Sequence, residues 1–457
     1  MKSFDTFYFV WYTFDKNTLQ ATFSYSFDHE TYFTEIIDFS CHGFIQTANI
    51  DDEIMDTLLF HLSLAVGISY YKVYPTTNLV VETGSLDVDQ QRFRTKFYMQ
   101  GLGEFFYKNG ISPYGLLHFV NGAKKKHQKI FLSSGNVPMI ALWWGKDSLV
   151  SVELIKKMGI PFFTSTFGKD YYLHSVVGDS IWAPRLVIQR TFDPQLFVMN
   201  QQWYYNGHVP ISWIIAFVLT TAAYLYDYTY IIMSNEKSAN EGNILLSDEK
   251  TGKQYDINHQ RSKSAEFESD FSDYIKKYIS PDIKYFSLLR GMYEIYIAKL
   301  FAQYPQYFSV FSSCNNNFKV IEHNKTTHNR WCGICPKCAF VYTILRPFLS
   351  DDMTKTIFDH ELYENNTLLP LYKELLGVSG IKPFECVGTN EEVTYAMYLY
   401  YQKIKNSSPL PPIIDFFKQE ILPTISPETI LILENKLFTL YTQETHIPKF
   451  FNTIFPL

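Results

Sequence analysis

The fold is decided by residues 139–151, which read MIALWWGKDSLVS. An apolar run ends at Gly-Lys-Asp-Ser, which opens an amphipathic segment. This order is typical of a strand that passes to a helix through a phosphate-binding turn, because the N–H groups of the turn and the helix N-terminus attract anions. Trp143 and Trp144 stand where such turns usually carry small residues. The four residues alone leave two interpretations open, an anion site or an ordinary turn in which Asp147 caps the helix.

The same alternation continues along the chain after this turn. Apolar runs alternate with helical segments at residues 147–158, near 170–177 and at 209–225, which predicts a doubly wound parallel sheet. Ligands of such sheets bind beyond the carboxyl ends of the strands. The polar segments 145–148, 190–193 and 234–238 all follow strand ends, so we expect them to converge on one cleft. The candidate residues in them are Gly145, Lys146, Asp147, Ser148, Arg190, Asn235, Glu236 and Lys237.

Two further units flank this predicted sheet. Residues 1–125 form an α+β unit, with three alternating strands between residues 7 and 39, a helix from near Asp51, a strand-like YYKVY and a helix from about residue 87 to 107. Residues 126–346 form the α/β domain. Residues 347–457 read as helices separated by prolines, which indicates a helical C-terminal extension.

Length and composition limit the function classes. A chain of 457 residues predicts two or three domains, and 46% hydrophobic with 19% charged residues is globular. A formal charge of -6 argues against a nucleic acid as the main partner, and the basic run 124–126 reads as a solvated loop rather than a local contact. No secretory signal is apparent, so we expect a cytoplasmic protein. The uncharged residues 209–226 favour a helix buried against the sheet over a membrane span.

The cysteines give the sharpest local signal. Cys314, Cys332, Cys335 and Cys338 have the spacing C-x17-C-x2-C-x2-C, and such thiolates suit tetrahedral Zn²⁺ better than disulfides in a cytosolic chain. Four cysteine ligands leave no open position, so the predicted zinc site is structural; an iron–sulfur cluster is the main alternative. The remaining cysteines, Cys41 and Cys386, are expected to be ordinary buried thiols.

Two other segments are dense in polar residues. NGHVP at 206–210 contains Asn206 and His208, and NHQRSKSAEFE at 258–268 contains His259, Lys263 and Glu266. Such segments between apolar runs are either turns or ligand loops. A single histidine is more often a satisfied hydrogen-bonding group than a catalyst.

In combination these residues resemble a known family. Trp143 to Ser148 occupy the positions of the Ser-Gly-Gly-x-Asp-Ser signature of PP-loop ATP pyrophosphatases, and the cysteine cluster is similar to the zinc site of the 7-cyano-7-deazaguanine synthase branch of that superfamily. A resemblance to the MurL family of UDP-N-acetylmuramoyl-L-alanyl-L-glutamate epimerases covers nearly the whole chain. The segments that carry it are AVGISYYKVYP, GLGEFFYKNG, GKDSLVSVELIK, NGHVPIS, MSNEKSANEGN, NHQRSKSAEFE and SCNNNF with WCGICPKCAFV.

The resemblance implies an ATP-dependent epimerase of peptidoglycan precursor synthesis. It would convert the terminal L-Glu of a UDP-linked muramoyl dipeptide to D-Glu through carboxylate adenylation, releasing AMP and pyrophosphate. Residues 145–148 would hold pyrophosphate with Mg²⁺, and Arg190, Lys237 and Lys263 are candidate cations. His259 and Glu266 are nominees for the α-proton base, because burial could bring either pKa near neutrality. The sequence indicates no oligomeric state.

The two tryptophans keep alternatives open. They remove the freedom that glycine has at positive φ, so either Gly145 alone supplies the flexible point or the nucleotide site is impaired; a third option is that an indole stacks on adenine or a sugar. The alternative functions are an adenylating enzyme acting on another peptide carboxylate and a zinc-stapled binding protein that has lost catalysis.

Overall fold

A computed structural model provides the structure of the chain. It describes residues 3–455 except 42–48, 131–136, 169–171, 203, 248–251, 253, 319–329 and 444; the side chains of 172–174 are also left out. All candidate residues named above lie within the described part.

Five parallel strands form the centre of the fold. The chain passes from β6 to β7 and β8 on one side, then returns to β9 and β12 on the other, in the spatial order β12-β9-β6-β7-β8. This reversal confirms the predicted doubly wound sheet. The strands are β6 (Pro138–Ala141), β7 (Phe163–Phe167), β8 (Arg185–Thr191), β9 (Tyr230–Met233) and β12 (Lys284–Ser287).

Both faces of these strands are covered. Successive side chains of a strand point to opposite faces, and Met139 packs in one hydrophobic core whereas Ile140 packs in the other. Strands buried on both faces read as unbroken apolar runs, which is the pattern of residues 138–142. The core with Met139 contains α1, α8 and α9, at Asp52–Val66, Ile211–Leu225 and Ala265–Tyr274. The core with Ile140 contains α5, α10 and α11, at Lys146–Lys157, Glu294–Phe301 and Pro336–Leu345.

The N-terminal strands extend the same sheet. The predicted three-stranded antiparallel meander is present, and its third strand pairs antiparallel with β8, so ten strands form one sheet. Two further strands, β4 and β5, extend the sheet beyond β1 and run parallel to it. The bounds are β1 (Thr6–Asp15), β2 (Gln20–Ser26), β3 (Tyr32–Asp38), β4 (Asn78–Val81) and β5 (His118–Asn121), with a separate hairpin of β10 (Ile244–Ser247) and β11 (Gln254–Ile257). The domain boundaries at 125 and 346 stay predictions.

One local prediction was wrong. YYKVY, at residues 70–74, was expected to be a strand, but α2 (Ile68–Tyr71) is a short helix that follows α1 directly. Tyr70 and Tyr71 are both buried on it. Aromatic residues suit strands by intrinsic preference, and here tertiary burial overrides that preference. The expected helix at 87–107 is present as α3 (Val88–Gly101) and α4 (Gly103–Lys108), with Asp87 capping its start in a reciprocal capping box.

The remaining helices are mostly in the C-terminal part. They are α6 (Tyr172–Ile181), α7 (Pro194–Gln201), α12 (Asp351–Ile357), α13 (Leu369–Leu375), α14 (Asn390–Ile404), α15 (Pro412–Phe416) and α16 (Pro427–Leu437). Most pack into the core that contains α5, so the predicted helical extension is built onto one face of the sheet.

The apolar helices lie inside the protein. α8 is buried along almost all of its length, as expected for residues 209–226. One helical stretch, Asp52–Tyr71, is long and apolar enough to cross a membrane by length and composition, and 89% of its apolar window is buried in the fold.

Candidate active site

A cavity of about 690 Å³ lies at the carboxyl ends of β6, β7, β8 and β9. The polar segments predicted to converge do so here, because parallel strands end at the same edge of the sheet. Its wall has an aromatic part, with Trp143, Phe167 and Phe192, and a charged part. The charged and polar part includes Asp147, Ser148, Arg190, Ser234, Asn235, Glu236, Lys263, Glu294, Lys337 and Cys386, and Gly145 also lines the cavity.

The β6–α5 turn takes an unusual backbone path. Trp144 has φ of 29°, in the region that favours glycine, whereas Gly145 has φ of −82° and is the N-cap of α5. Of the alternatives left open for this turn, Gly145 as the point of positive φ does not apply, because Trp144 occupies the strained position. Close approach favours glycine at position 145, since a Cβ there would lie 2.8 Å from Ser313 Oγ and 3.2 Å from the Trp143 carbonyl oxygen.

Ser148 stabilises this turn from inside. Its hydroxyl accepts a hydrogen bond from the Trp143 N–H at 3.2 Å and donates one to the Gly145 carbonyl at 3.2 Å. Asp147 was expected as a possible helix cap, but no side chain caps α5. The N–H groups at the start of the helix are thus not used by a capping side chain, as an anion site requires.

A buried charge cluster lies behind the turn. Lys146 is fully buried and its Nζ lies 2.6 Å from Asp147 Oδ1 and 3.3 Å from Glu294 Oε1. Lys337 Nζ donates to the same Glu294 oxygen at 3.1 Å. Burial would raise the pKa of Glu294, but Lys146 and Lys337 lower it, so this carboxylate is ionised. Lys146 thus neutralises acidic groups and is not among the described residues that line the cavity.

Two polar atoms in the cavity wall have no partner within the described part of the chain. Asn235 Nδ2 and Glu294 Oε2 are buried without a hydrogen bond. A buried polar group without a partner costs about 1–3 kcal/mol. Both atoms belong to cavity-lining residues, so a bound ligand can satisfy them, Asn235 as a donor and Glu294 as an acceptor.

Arg190 reaches the cavity with part of its guanidinium already paired. Its Nε donates to Glu35 Oε1 at 2.7 Å, and Nη2 donates to Glu35 Oε2 and to Ser69. The guanidinium also lies 4.2 Å from the ring centroid of Phe192. These contacts fix its position rigidly at the end of β8.

A hydrogen-bonded chain of side chains reaches the cavity at Cys386. Lys263 Nζ lies 3.2 Å from Cys386 Sγ. His259 hydrogen-bonds Cys386, and its Nδ1 pairs with the carboxylate of Glu104. Burial would raise the pKa of Cys386, but the charge of Lys263 and the hydrogen bond from His259 lower it to about 5. Burial would lower the pKa of His259, but Cys386 and Glu104 raise it to about 9. The pair is therefore a thiolate and an imidazolium at neutral pH.

Glu104 connects a second histidine, His208, to this series of hydrogen-bonded side chains. His208 Nδ1 lies 3.4 Å from Glu104 Oε2, and burial together with the charge of His259 lowers the pKa of His208 to about 3. The ligand atoms of the three side chains lie within 4.8 Å of one another. Lys108 also donates to Glu104, at 2.6 Å, so cationic groups already neutralise this carboxylate and we interpret the group as a hydrogen-bond network.

The four predicted metal-ligating cysteines come together. Their sulfurs all lie within 4.8 Å of one another, and the Cys332 and Cys338 sulfurs are 3.7 Å apart. Zn–S bonds of about 2.3 Å in a tetrahedron place sulfurs about 3.8 Å apart, so the cluster could hold a zinc ion. Cys335 is the N-cap of α11, and its sulfur accepts a hydrogen bond from the Cys338 N–H. All six cysteines lie in the described part of the chain, and none of them forms a disulfide there.

Comparison with known proteins supplies the family. Residues 1–288 match the model of the MurL N-terminal domain, and residues 310–425 match that of the MurL C-terminal domain. A relative from Xanthomonas oryzae pv. oryzae is 32% identical over 442 residues, which cover 94% of both chains.

The chain belongs to the MurL epimerase family.

Further MurL relatives carry the same name. The Xanthomonas protein is named UDP-N-acetyl-alpha-D-muramoyl-L-alanyl-L-glutamate epimerase, as are relatives from a Micromonospora strain and from Salinispora tropica. These two are each 33% identical to the chain and cover 87% of it, with 87% and 85% of their own lengths aligned. No solved structure matches the chain.

The predicted site residues of this MurL chain divide into two groups. Gly145, Asp147, Ser148, Arg190, Asn235, Glu236 and Lys263 line the cavity. Lys146, Asn206, His208, Lys237, His259 and Glu266 are not among the described residues that line it. Asn206 accepts from Lys72, and the Lys237 ammonium lies 4.2 Å from the ring centroid of Tyr441.

Glu266 departs most from its predicted role as a base. Half of its side chain is exposed, and it pairs with Lys96 at 2.7 Å and Arg261 at 2.6 Å. Burial would raise its pKa, but hydrogen bonds from these two cations lower it. The pKa is thus shifted away from neutrality, contrary to expectation.

Sequence reasoning missed Glu294, Lys337 and Cys386. Cys386 was expected to be an ordinary buried thiol, but it is only partly buried and lines the cavity. Lys337 lies inside the Cys335–Cys338 knuckle, which was the one available signal. Nothing in the spacing of Glu294 or Cys386 connects them to the β6–α5 turn.

Proposed function

We propose that the chain is an ATP-dependent epimerase of peptidoglycan precursor synthesis. It would act in the cytoplasm on UDP-N-acetylmuramoyl-L-Ala-L-Glu and invert the terminal glutamate through carboxylate adenylation, with release of AMP and pyrophosphate. The observation that carries the proposal is the convergence on one cavity, in a MurL-family chain, of the β6–α5 turn, three cationic side chains and an amide donor that has no partner among the described residues.

The chemistry explains why a nucleotide is needed. Removing the α-proton beside a carboxylate would place a second negative charge against the first. Esterifying the carboxylate to AMP removes the first charge and lets the carbonyl delocalise the electron pair. A proton can then leave one face of the α-carbon and another can add to the opposite face, after which water cleaves the adenylate.

The cavity has the groups that a triphosphate requires. The N–H groups at the start of α5 would face the phosphates, and Lys263, Lys337 and Arg190 would supply positive charge. Burial would lower the pKa of Lys263, but Cys386 and Glu236 raise it, so Lys263 remains charged. Displaced pyrophosphate would bind at the turn, and Asn235 would donate to the substrate carboxylate or a phosphate oxygen.

The proposed reaction would use a divalent cation beside the turn. Oxygen atoms of Asp147 and Glu294 would hold Mg²⁺, since Lys146 occupies one oxygen of each and Glu294 Oε2 has no partner among the described residues. Bound Mg²⁺ would neutralise phosphate charge as pyrophosphate leaves. The cysteine cluster would hold a structural Zn²⁺ at the start of α11, where it would help to position Lys337.

The two tryptophans border the cavity and do not fill it. Trp144 is 5% exposed and packs in the core that contains α5, while both indoles form part of the cavity wall. The cavity of about 690 Å³ exists with the indoles in place, within the usual range for ligand sites. Trp143 and Phe192 offer an aromatic surface for the base or sugar.

The test is incubation of the enzyme with ATP, Mg²⁺ and UDP-N-acetylmuramoyl-L-Ala-L-Glu in deuterated water. We expect AMP and pyrophosphate, D-Glu by chiral analysis, and deuterium at its α-carbon. Asp147→Asn should reduce all three, whereas the matched exposed variant Asp273→Asn should not. Pyrophosphate without α-carbon exchange would indicate another adenylating reaction, and no ATP binding by calorimetry would indicate a binding protein.

A further inference from the structure

The proposed reaction needs a base that can reach the α-carbon of the bound glutamate. Three carboxyl groups and one thiol lie among the described residues that line the cavity: Asp147, Glu236, Glu294 and Cys386. Asp147 and Glu294 are paired with Lys146. These contacts commit both carboxylates to charge neutralisation and leave Glu236 and Cys386 for proton transfer.

We propose that the Cys386 thiolate is one acid–base group of epimerisation and exchanges the α-proton on one face of the adenylated glutamate. This inference rests on the proposed function. Cys386 lines the cavity, Lys263 Nζ lies 3.2 Å from its sulfur, and His259 hydrogen-bonds it. A thiolate between two cations is stabilised without losing access to the cavity.

His259 and Glu104 position this thiolate and do not themselves contact the substrate. Glu104 accepts from His259 Nδ1, and the imidazolium of His259 also hydrogen-bonds Cys386. This order of carboxylate, imidazolium and thiolate follows the general arrangement in which a base or nucleophile is oriented by a second and a third group. The prediction that His259 is the base is thereby changed: it is a positioning residue.

The proton transfer balances with groups in the same cavity. The α-carbon–hydrogen bond breaks, an S–H bond forms at Cys386, and the electron pair moves into the adenylated carboxyl group. A new carbon–hydrogen bond then forms on the opposite face with a proton from the Glu236 carboxyl group. Burial and the charge of Glu294 raise the pKa of Glu236, so it can carry that proton near neutrality. Solvent afterwards reprotonates Glu236 and accepts the thiol proton.

The decisive experiment separates adenylation from proton transfer in Cys386→Ser. Wild type and variant are each given ATP, Mg²⁺ and the L-Glu or the D-Glu dipeptide in deuterated water. We expect Cys386→Ser to release pyrophosphate in both reactions but to lose α-proton exchange with at least one isomer by about 10²- to 10⁴-fold. Cys41→Ser, a partly buried cysteine outside the described cavity wall, is the control and should behave as wild type.

The experiment distinguishes failure of the role of Cys386 from failure of the proposed function. Undiminished exchange of both isomers in Cys386→Ser overturns the role of Cys386 and leaves the adenylation proposal standing. No dipeptide-dependent pyrophosphate from wild type overturns the proposed function instead.

A second measurement does not depend on turnover. Iodoacetamide labelling of the wild-type enzyme, mapped by mass spectrometry, should modify Cys386 at pH 6 nearly as fast as at pH 8, since its pKa is about 5. In His259→Asn the reaction at pH 6 should slow and its midpoint should move upward. An unreactive Cys386 at pH 6, or a pH profile unchanged by His259→Asn, contradicts the thiolate arrangement.

Discussion

Glu294→Gln tests the charge cluster that joins the β6–α5 turn to the cysteine knuckle. The side chain of Glu294 is 2% exposed and pairs with Lys337 at 3.1 Å and Lys146 at 3.3 Å. Glutamine has nearly the same shape but no charge. We expect the free energy of unfolding to fall, because two buried ammonium groups lose their shared carboxylate.

The size of the expected loss in unfolding free energy follows from these distances. At an effective dielectric constant of about 20, the attraction between Glu294 and Lys337 across 3.1 Å is about 5 kcal/mol. Desolvation of the charges offsets much of this in the intact cluster, yet removing one partner leaves that penalty uncompensated. Asp147 still neutralises Lys146 at 2.6 Å, so the loss should arise mainly at Lys337 and amount to about 3–5 kcal/mol.

The assay is equilibrium denaturation of wild type, Glu294→Gln, Lys337→Met and the double variant. The double variant should be more stable than the sum of the single effects predicts, by about 1–3 kcal/mol, because the second change removes the ammonium that the first leaves unpaired. Glu434→Gln, on an exposed position of α16, should stay within about 0.5 kcal/mol of wild type. A loss below about 1 kcal/mol in Glu294→Gln, or strictly additive effects, would refute the reasoning.

The loss of unfolding free energy in Glu294→Gln should depend on pH. The folded-state pKa of Glu294 is lowered from 4.5, so its ionisation stabilises the folded chain above pH 4.5. That stabilisation is lost as the pH falls through the lowered pKa. The difference between wild type and Glu294→Gln should therefore be constant near neutrality and shrink in acid.

Three further predictions concern the site. The rate of epimerisation should fall below about pH 5, where the Cys386 thiolate is protonated, and above about pH 7, where the Glu236 carboxyl group loses its proton; a steady-state pH–rate profile checks both limbs. Cys332→Ser should lower bound zinc in metal analysis and reduce the unfolding midpoint, whereas iron in the wild-type protein would contradict zinc ligation. Trp144→Gly should lower the free energy of unfolding by about 3–5 kcal/mol because the buried indole is lost, and relief of the strained φ of 29° should restore about 1 kcal/mol of this. Equilibrium denaturation measures the net change, and a stabilised variant would contradict this account.

Local pattern was enough to predict much of this fold. The alternation at residues 7–39 predicted the antiparallel meander, and the apolar runs after residue 129 predicted the parallel strands of the central sheet. Asp51 was expected at a helix start and caps α1 through two backbone N–H groups. These features depend on side-chain periodicity and capping, which neighbouring residues determine.

The sequence by itself determined which strand ends carry the polar segments and which cysteines can share a metal. Only the tertiary structure decided that Lys146 turns inward to Glu294, that Glu266 pairs with Lys96 at the surface, and that Cys386 meets Lys263 and His259. Those contacts join residues far apart in the chain. Their pKa values and accessibility depend on burial and on charges brought together by packing, which no local spacing encodes.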